Sequence, residues 1–157
     1  MINLKVIDLT DAEELLKLNQ SIFSDEIVYD LPYFVRLCKL QQGFILKENN
    51  TSIGYIVYGM TECNGSRTFT IISLGVLNSH RGKGHGKQLI KKVLEKFPER
   101  EISLHVRVTN KLAQNLYKSV GFKISGVEKD YYYQLNDDAY HMVRPKLINK
   151  KLIENKS

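Results

Sequence analysis

A glycine-rich segment, HRGKGHGK at residues 80–87, joins an apolar, β-rich run to an amphipathic helical pattern. Glycine inside a helix costs about 0.5–1 kcal/mol relative to alanine, so glycines where a helix begins need a compensating role. Helix N-termini present unpaired N–H groups and a positive dipole end, and adjacent glycines let these groups converge on an anion. Because Arg81, Lys83 and Lys87 add positive charge, the segment predicts a pyrophosphate-binding turn between a strand and a helix.

Two common phosphate-binding motifs do not fit this segment. A dinucleotide fingerprint reads G-x-G-x-x-G, but Gly82, Gly84 and Gly86 are evenly spaced. A P-loop fails as well, because Arg81 and Gln88 stand where that motif needs Gly and Ser or Thr. What remains is R-x-x-G-x-G, formed by Arg81, Gly84 and Gly86, to which Gly82 is an addition. A flexible glycine connector is the alternative interpretation.

The other hydrophobic patterns predict alternating strands and helices. Their order is β-α-α-β-β-β-α-β-α-β-β, with Asn64-Gly65 as a hairpin turn and KISGV, DYYYQL and AYHMVRP in the terminal strands. Thr10 or Asp11 is expected to cap the first helix, and Asn110 the last. This order predicts an α/β domain whose central sheet is mixed, mostly antiparallel and flanked by about four helices.

Composition limits the class of protein. The length of 157 residues favours one domain, predicted over residues 1–145, with a basic tail at 146–157. No apolar run reaches the roughly 20 residues of a membrane span, and the N-terminus lacks the pattern of a signal peptide. Cys38 and Cys63 have neither disulfide nor metal-ligand spacing, so we expect a cytoplasmic location and no metal. The net charge of +6 suits several anionic partners and equally a lysine-rich surface.

Two motifs resemble those of the GNAT superfamily, the N-acetyltransferases that use acetyl-CoA. Arg81, Gly84 and Gly86, placed between a strand and a helix, resemble motif A, and VTNKLAQNLYKSVGF resembles the second motif. LNQSIF, SLHVRVTN and KDYYYQLNDDAYHM are similar to segments of the Nα-acetyltransferases, of the NatE catalytic-subunit type and the archaeal type. The resemblance implies a single-domain GNAT fold and an enzyme that acetylates the α-amine of protein N-termini by direct attack.

The resemblance also implies a donor site and a peptide slot. The acetyl-CoA site is expected at Leu74, Gly75, Val76, Arg81, Gly82, Lys83, Gly84, His85, Gly86, Lys87, Asn110 and Tyr117. The peptide slot is expected at Phe23, Tyr131 and Tyr132. Strand alternation in the YYY run predicts Tyr131 and Tyr133 on one face and Tyr132 on the other, and ordinary strand aromatics are the alternative.

Two residues are implied to act on the reacting groups. His105 is the expected general base, acting through water, and Tyr117 the expected acid for the leaving thiolate. A protein α-amine has an ordinary pKa of about 7.7–8.0, so a modest base suffices to deprotonate it. Strand alternation puts His105 opposite the apolar face of ISLHVRV. The alternatives are a half-buried histidine bonded to the backbone and a tyrosine that only packs.

Two positions depart from the NatE type. That enzyme pairs its histidine with a tyrosine where this chain has Thr70, and its peptide loop reads Phe-Pro-Val where this chain has Phe23-Ser24-Asp25-Glu26. Other Nα-acetyltransferases carry a glutamate in this loop, so Asp25 and Glu26 are candidate catalytic carboxylates. Which of Asp25, Glu26 and His105 is the base, and which N-termini are acetylated, stay open.

Other functions stay open as well. The chain can be a GNAT enzyme for an internal lysine or a small amine, or a CoA-binding interaction module that has lost catalysis, which Thr70 permits. The ribosome and an auxiliary subunit are further candidate partners, whereas no membrane and no specific nucleic acid are expected. The tail residues that suit ribosome binding, or merely a solvated tail, are Lys146, Lys150, Lys151 and Lys156.

Overall fold

The computed structural model describes residues 1–24, 27–63 and 65–147, apart from the side chain of Cys63. Within these residues the helices and strands follow the predicted order. Their bounds are β1 Ile2–Val6, α1 Ala12–Ile22, α2 Leu31–Leu40, β2 Gln42–Glu48, β3 Thr51–Cys63, β4 Ser66–Val76, α3 His85–Lys96, β5 Ile102–Arg107, α4 Lys111–Ser119, β6 Lys123–Tyr132 and β7 Asp137–Arg144.

The seven strands found in the described residues form a sheet in the order β1-β2-β3-β4-β5-β7-β6. β2 pairs antiparallel with β1 and β3, and β7 pairs antiparallel with β5 and β6. β4 and β5 are parallel, with Thr70 opposite Ser103. This arrangement confirms the predicted mixed, mostly antiparallel sheet. The predicted hairpin is confirmed too, because Gly65 turns β3 into β4 with φ +79°, although Asn64 lies outside the described residues.

The chain divides into two compact units. One consists of Met1–Met60 with Ile71–Ile90, and the other of Thr61–Thr70 with the chain from Lys91 onward. In the first unit, the apolar faces of α1 and α2 join side chains of β2 and β3 in one buried core. Each buried leucine or isoleucine there contributes about 1.5–3 kcal/mol to folding. The core includes Leu15, Leu18, Ile22, Phe34, Leu37, Ile45, Tyr55 and Val57.

The start of α1 differs from the prediction. Neither Thr10 nor Asp11 caps the helix with its side chain, because a 3-10 turn, Leu9–Asp11, precedes it and moves the capping box upstream. Asp8 accepts a hydrogen bond from the backbone of Thr10 at 2.8 Å. Asp11 occupies the N-cap position, but its carboxylate accepts from the backbone N–H of Asp8 at 2.9 Å and from Lys5 Nζ at 2.6 Å.

The cap of α4 confirms the prediction. Asn110 Oδ1 accepts a hydrogen bond from the backbone N–H of Ala113 at 3.1 Å, as an N-cap residue does. At the other end of this helix, Gly121 has φ +103°, a backbone conformation in which glycine is favoured over residues with a side chain.

The terminal tyrosine run differs from an ideal strand. β6 ends at Tyr132, and Tyr133 begins a 3-10 turn, Tyr133–Leu135, instead of a further strand. The left-handed φ of +55° at Asp130 and a register shift between Glu128 and Tyr132 also break the alternation. The prediction that Tyr131 and Tyr133 share one strand face is therefore wrong.

A buried carboxylate ties the start of β7 to the end of β5. Asp137 accepts hydrogen bonds from Thr109 Oγ1 at 2.5 Å and from Arg107 Nε at 3.0 Å. These donors lower the pKa of the Asp137 carboxyl, with the Thr109 bond the largest cause. The ionised carboxylate is thus the form that stabilises this end of the second unit.

We expect part of the free energy of unfolding to disappear in acid as Asp137 protonates. Because its folded-state pKa is lowered, the contribution is present above the unfolded-state pKa of about 3.9 and is lost as pH falls through the folded-state value. Urea unfolding of the wild type and Asp137→Asn at a series of pH values measures this, and the stability gap should narrow toward acid pH. A gap that does not depend on pH would contradict the assignment.

Candidate active site

The predicted pyrophosphate turn follows directly from β4. After Val76 the chain forms a 3-10 turn, Asn78–His80, and α3 begins at His85. Gly82 and Gly84 both have left-handed backbones, with φ of +78° and +83°. A Cβ atom at either position would meet no other atom within 4 Å, so the backbone faces open space. An exposed, concave backbone next to a helix N-terminus fits a bound phosphate.

The glycines have different roles from those that the motif suggests. Gly82, an addition to R-x-x-G-x-G, adopts a conformation that most residues avoid, whereas Gly86 lies inside the first turn of α3. The carbonyl of Gly84 accepts a hydrogen bond from the backbone N–H of Gln88 at 3.0 Å, and the helical bonding of α3 begins there. The unpaired N–H groups of the first helical turn therefore belong to the residues directly after Gly84.

Basic side chains surround the turn. The side chain of Arg81 is anchored to the end of β4, because its Nε donates a hydrogen bond to the carbonyl of Val76 at 3.1 Å. Lys83 and Lys87 are exposed, and His85 is half-buried. Positive charge and helix N-terminal N–H groups thus occur together, as an anionic ligand requires.

The end of β4 packs against the end of α1 in the first unit. Gly75 and Val76 are buried and Leu74 is half-buried. A Cβ atom at Gly75 would lie 3.0 Å from Phe23 Cε2 and from Ile22 Cγ2, so Phe23 lies directly against the strand backbone. The predicted peptide-slot residue Phe23 and the predicted donor strand are therefore neighbours.

A buried polar network that sequence reasoning missed holds this region. Asn19 Nδ2 donates to the Tyr55 hydroxyl at 2.8 Å, and that hydroxyl lies 2.7 Å from Ser73 Oγ. The network links α1, β3 and β4 one residue before Leu74. In the sequence, Asn19 stands on the apolar face of the first helix. A polar residue at such a position was the signal that could have indicated a buried polar contact.

His105 is half-buried on β5, and its neighbours on both sides, Leu104 and Val106, are buried. The alternation predicted for this strand is thus confirmed. The imidazole Nε2 lies 2.9 Å from Glu128 Oε1, and the ring stacks on Tyr131 with 4.3 Å between centroids. Among the described residues, the imidazole is therefore bonded to a carboxylate and not to a backbone group. Glu128 was absent from the sequence predictions.

Thr70 does not replace the tyrosine of the NatE type. Its hydroxyl lies 2.9 Å from Thr61 Oγ1 and 3.4 Å from Ser103 Oγ, within a group of hydroxyls. Such hydroxyl groups do not ionise near neutral pH, whereas an imidazole ordinarily gains or loses a proton in that range. In the described part of β4 and β5, the imidazole of His105 is accordingly the side chain suited to general-base chemistry.

The remaining predicted residues fall into three groups. Asn110 is half-buried at the cap of α4, and Tyr117 is buried on that helix with its ring edge-on to Phe122. Tyr132 is half-buried and stacks edge-on with Tyr131. Asp25, Glu26 and the tail beyond residue 147 lie outside the described residues. The functional roles assigned to all of these residues stay predictions.

The thiol of Cys38 is not suited to act as a nucleophile. It is buried in the core of the first unit, and burial raises the pKa of the thiol, with Asp11 and Asp8 adding to the effect. Raising the pKa keeps the thiol protonated, and the reactive form of cysteine is the thiolate. A covalent intermediate on Cys38 is therefore disfavoured.

Among the residues that the structure describes, no group of three or more His, Cys, Asp or Glu side chains is arranged to hold a metal ion. In the same part of the chain, every helix is too short or too polar to cross a membrane.

Sequence comparison relates the chain to known acetyltransferases. Residues 11–122 match the acetyltransferase (GNAT) family. An N-alpha-acetyltransferase of Sulfurisphaera tokodaii is 30% identical over 151 residues, covering 87% of this chain and 89% of the relative. The N-terminal acetyltransferase A complex catalytic subunit NAA10 of Arabidopsis thaliana is 38% identical over 99 residues, covering 60% of this chain and 51% of the relative.

Structure comparison agrees with the sequence match. Arabidopsis thaliana Naa50, solved in complex with the bisubstrate analogue CoA-Ac-MVNAL, superimposes with a TM-score of 0.74 and 26% identity. The similarity covers 90% of this chain and 97% of the Naa50 chain. The predicted fold and superfamily are thereby confirmed: the chain belongs to the GNAT family of acetyltransferases.

Proposed function

We propose that the protein is an Nα-acetyltransferase, which moves the acetyl group of acetyl-CoA to the α-amine of protein N-termini. The observation that carries the proposal is the match with the Sulfurisphaera tokodaii N-alpha-acetyltransferase, which spans 89% of that relative. The Naa50 structure supports the same donor and acceptor, since its bisubstrate analogue joins CoA to the peptide MVNAL.

We assign the donor to the first unit's glycine turn and strand end. Arg81, Lys83, Lys87 and the N–H groups that follow Gly84 hold the pyrophosphate. The backbone amides of residues 74–76 polarise the thioester carbonyl, and such a donor typically contributes about 3–4 kcal/mol of transition-state stabilisation. On the family resemblance alone, we also assign Asn110 and Tyr117 to acetyl-CoA binding, and Phe23, Tyr131 and Tyr132 to peptide binding.

The chemistry begins with the removal of one proton from the substrate's α-ammonium group. His105 accepts this proton through a water molecule, which leaves a neutral amine. The amine nitrogen attacks the thioester carbon, and the C–N bond forms as the C–S bond breaks. Tyr117 donates its hydroxyl proton to the leaving sulfur, which gives the thiol of CoA. The nitrogen loses its second proton as the amide forms, and that proton restores the Tyr117 hydroxyl through solvent.

Partners and location extend the proposal. Relatives act as catalytic subunits of complexes, as the name of Arabidopsis NAA10 states, which supports an auxiliary subunit for this chain. Recruitment to the ribosome by the basic tail from residue 146 onward and a cytoplasmic location stay predictions. Acetylation of internal lysines or small amines is not favoured, because the relatives named above are N-terminal acetyltransferases.

We expect the enzyme to acetylate free α-amines and to spare internal lysines. At pH 7.5 about a quarter to two fifths of α-amines are neutral, against about one lysine in a thousand. Two matched peptides test this: one has a free α-amine and arginine in place of lysine, and the other has a blocked N-terminus and an internal lysine. Mass spectrometry should locate the acetyl group on the first peptide, and modification of the second alone would refute the proposal.

We expect His105→Ala to lower kcat by roughly 10²–10⁴-fold, the usual contribution of general acid–base catalysis. Acetyl-CoA binding, measured by calorimetry, should stay within about twofold of the wild type, because no donor contact is assigned to His105. Lys118→Ala, an exposed position on α4, serves as the control for truncation. An unchanged kcat in His105→Ala would remove the imidazole from the mechanism and leave the loop carboxylates Asp25 and Glu26 as candidate bases.

We expect Gly75→Ala to weaken peptide binding more than acetyl-CoA binding. The added methyl group would lie 3.0 Å from Phe23 and Ile22, and displacing Phe23 should raise KM for the peptide roughly tenfold, about 1.4 kcal/mol. Unfolding experiments with Gly126→Ala provide the stability control, because a Cβ atom there meets nothing within 4 Å. Equal rises in both KM values would argue against Phe23 as a wall of the peptide slot.

A further inference from the structure

His105 belongs to a row of directly opposed residues that crosses three strands, β5, β7 and β6. On β5 it stands opposite His141 of β7, and His141 stands opposite Gly126 of β6. Gly126 contributes no side chain to the row. Glu128, two residues further along β6, reaches His105 Nε2 with its Oε1 at 2.9 Å. The contact joins strands that are not neighbours in the sheet.

The ring plane of His105 is also fixed. Tyr131 stacks on the imidazole with 4.3 Å between centroids and only 8° between the ring planes. The left-handed backbone at Asp130 and the register shift before Tyr132 aim Tyr131 at this position. The His105 side chain is 17% exposed, so one part of the ring is enclosed and another reaches solvent.

We propose that Glu128 is a positioning residue for His105, which holds the imidazole in the tautomer with its proton on Nε2 and so presents the Nδ1 lone pair as the base. This inference rests on the proposed function, in which His105 takes the proton of the α-ammonium group. A carboxylate accepts hydrogen bonds only, so Nε2 must donate to it. In the described part of the chain, Nδ1 has no hydrogen-bond partner.

The charges around the ring suit the protonated product. When Nδ1 takes up the proton through water, the ring becomes an imidazolium whose Nε2–H still donates to the ionised Glu128. The ring of His141 also faces it, with centroids 5.1 Å apart. Burial lowers the pKa of the His141 imidazole and His105 lowers it further, whereas Glu128 and Glu101 act in the opposite direction. His141 is bonded through Nδ1 to Ser125 Oγ at 2.5 Å, and Glu128 supplies the counter-charge in direct contact with His105.

Nitrogen NMR tests the tautomer without any turnover. In wild-type protein at a pH where the imidazole is neutral, long-range ¹H–¹⁵N spectra should show a protonated Nε2 and an unprotonated Nδ1 on His105. In Glu128→Ala the two nitrogen shifts should move toward each other as the second tautomer becomes populated. His105→Ala assigns the signals. A wild-type ring protonated on Nδ1, or identical spectra in Glu128→Ala, would overturn the proposal.

A double-mutant cycle tests whether the contact serves catalysis. Glu128→Ala should lower kcat roughly tenfold, a share of the 10²–10⁴-fold that a general base supplies, with KM for acetyl-CoA unchanged. Glu128→Gln keeps an acceptor oxygen and should fall between the wild type and Glu128→Ala. In a His105→Ala background, Glu128→Ala should change kcat by less than about twofold, because Glu128 acts only through the imidazole. A full tenfold loss in that background would overturn the proposal.

The controls separate failure of this inference from failure of the proposed function. Glu95→Gln removes an exposed carboxylate on α3 and should leave kcat unchanged. Glu128 is 43% exposed, and thermal unfolding should place Glu128→Ala close to the wild type. If α-amines are acetylated while Glu128→Ala keeps full kcat, the role of Glu128 is refuted and the proposed function stands. If no α-amine is acetylated, the proposed function fails and the catalytic role of Glu128 fails with it.

Discussion

The tight packing around the end of β4 is the constraint on which the proposed acetyl-CoA site depends. A Cβ atom at Gly54 would lie 2.9 Å from the carbonyl oxygen of Gly75, and one at Gly75 would lie 3.0 Å from Phe23. The backbones of β3 and β4 and the end of α1 therefore approach as closely as glycine permits. β4 enters the glycine turn from a fixed position, and Arg81 bonds back to Val76 at the end of the same strand. The backbone of the proposed pyrophosphate turn thus continues directly from the packed core.

The second unit contains the proposed general base, His105, and holds it by a different kind of contact. His105 is held by a carboxylate on one nitrogen and by an aromatic face, Tyr131, on its ring. Glu128 belongs to the regularly paired stretch of β6 opposite β7, whereas Tyr131 comes from the irregular part that follows it. The register shift and the left-handed Asp130 therefore lie directly beside the proposed general base, and bulges are frequent next to active sites. The stacking of Tyr131 on the imidazole follows from this interruption of the sheet pattern.

Much of the fold followed from local patterns. Helical periodicity, the Asn110 cap and the hairpin at Gly65 depend on residues close together in the chain, and the structure agrees with each. Errors occurred where a neighbouring segment changed the local rule. The 3-10 turn before α1 displaced its cap to Asp8, and the end of β6 removed Tyr133 from the strand. Gly82, which the motif does not require, takes a left-handed backbone because the chain must turn twice before the helix.

The sequence by itself determined the order of elements, the glycine turn and the family, because these are encoded in short segments with characteristic spacing. Tertiary structure alone decided two polar contacts. Asn19 meets the hydroxyl of Tyr55, which lies 36 positions further along the chain, and His105 meets Glu128, 23 positions away. Strand register sets such contacts, and a shift of one residue would turn Tyr55, His105 or Glu128 to the opposite face of the sheet. Long-range register is a property of the folded sheet as a whole, so no local pattern could predict which carboxylate reaches the imidazole.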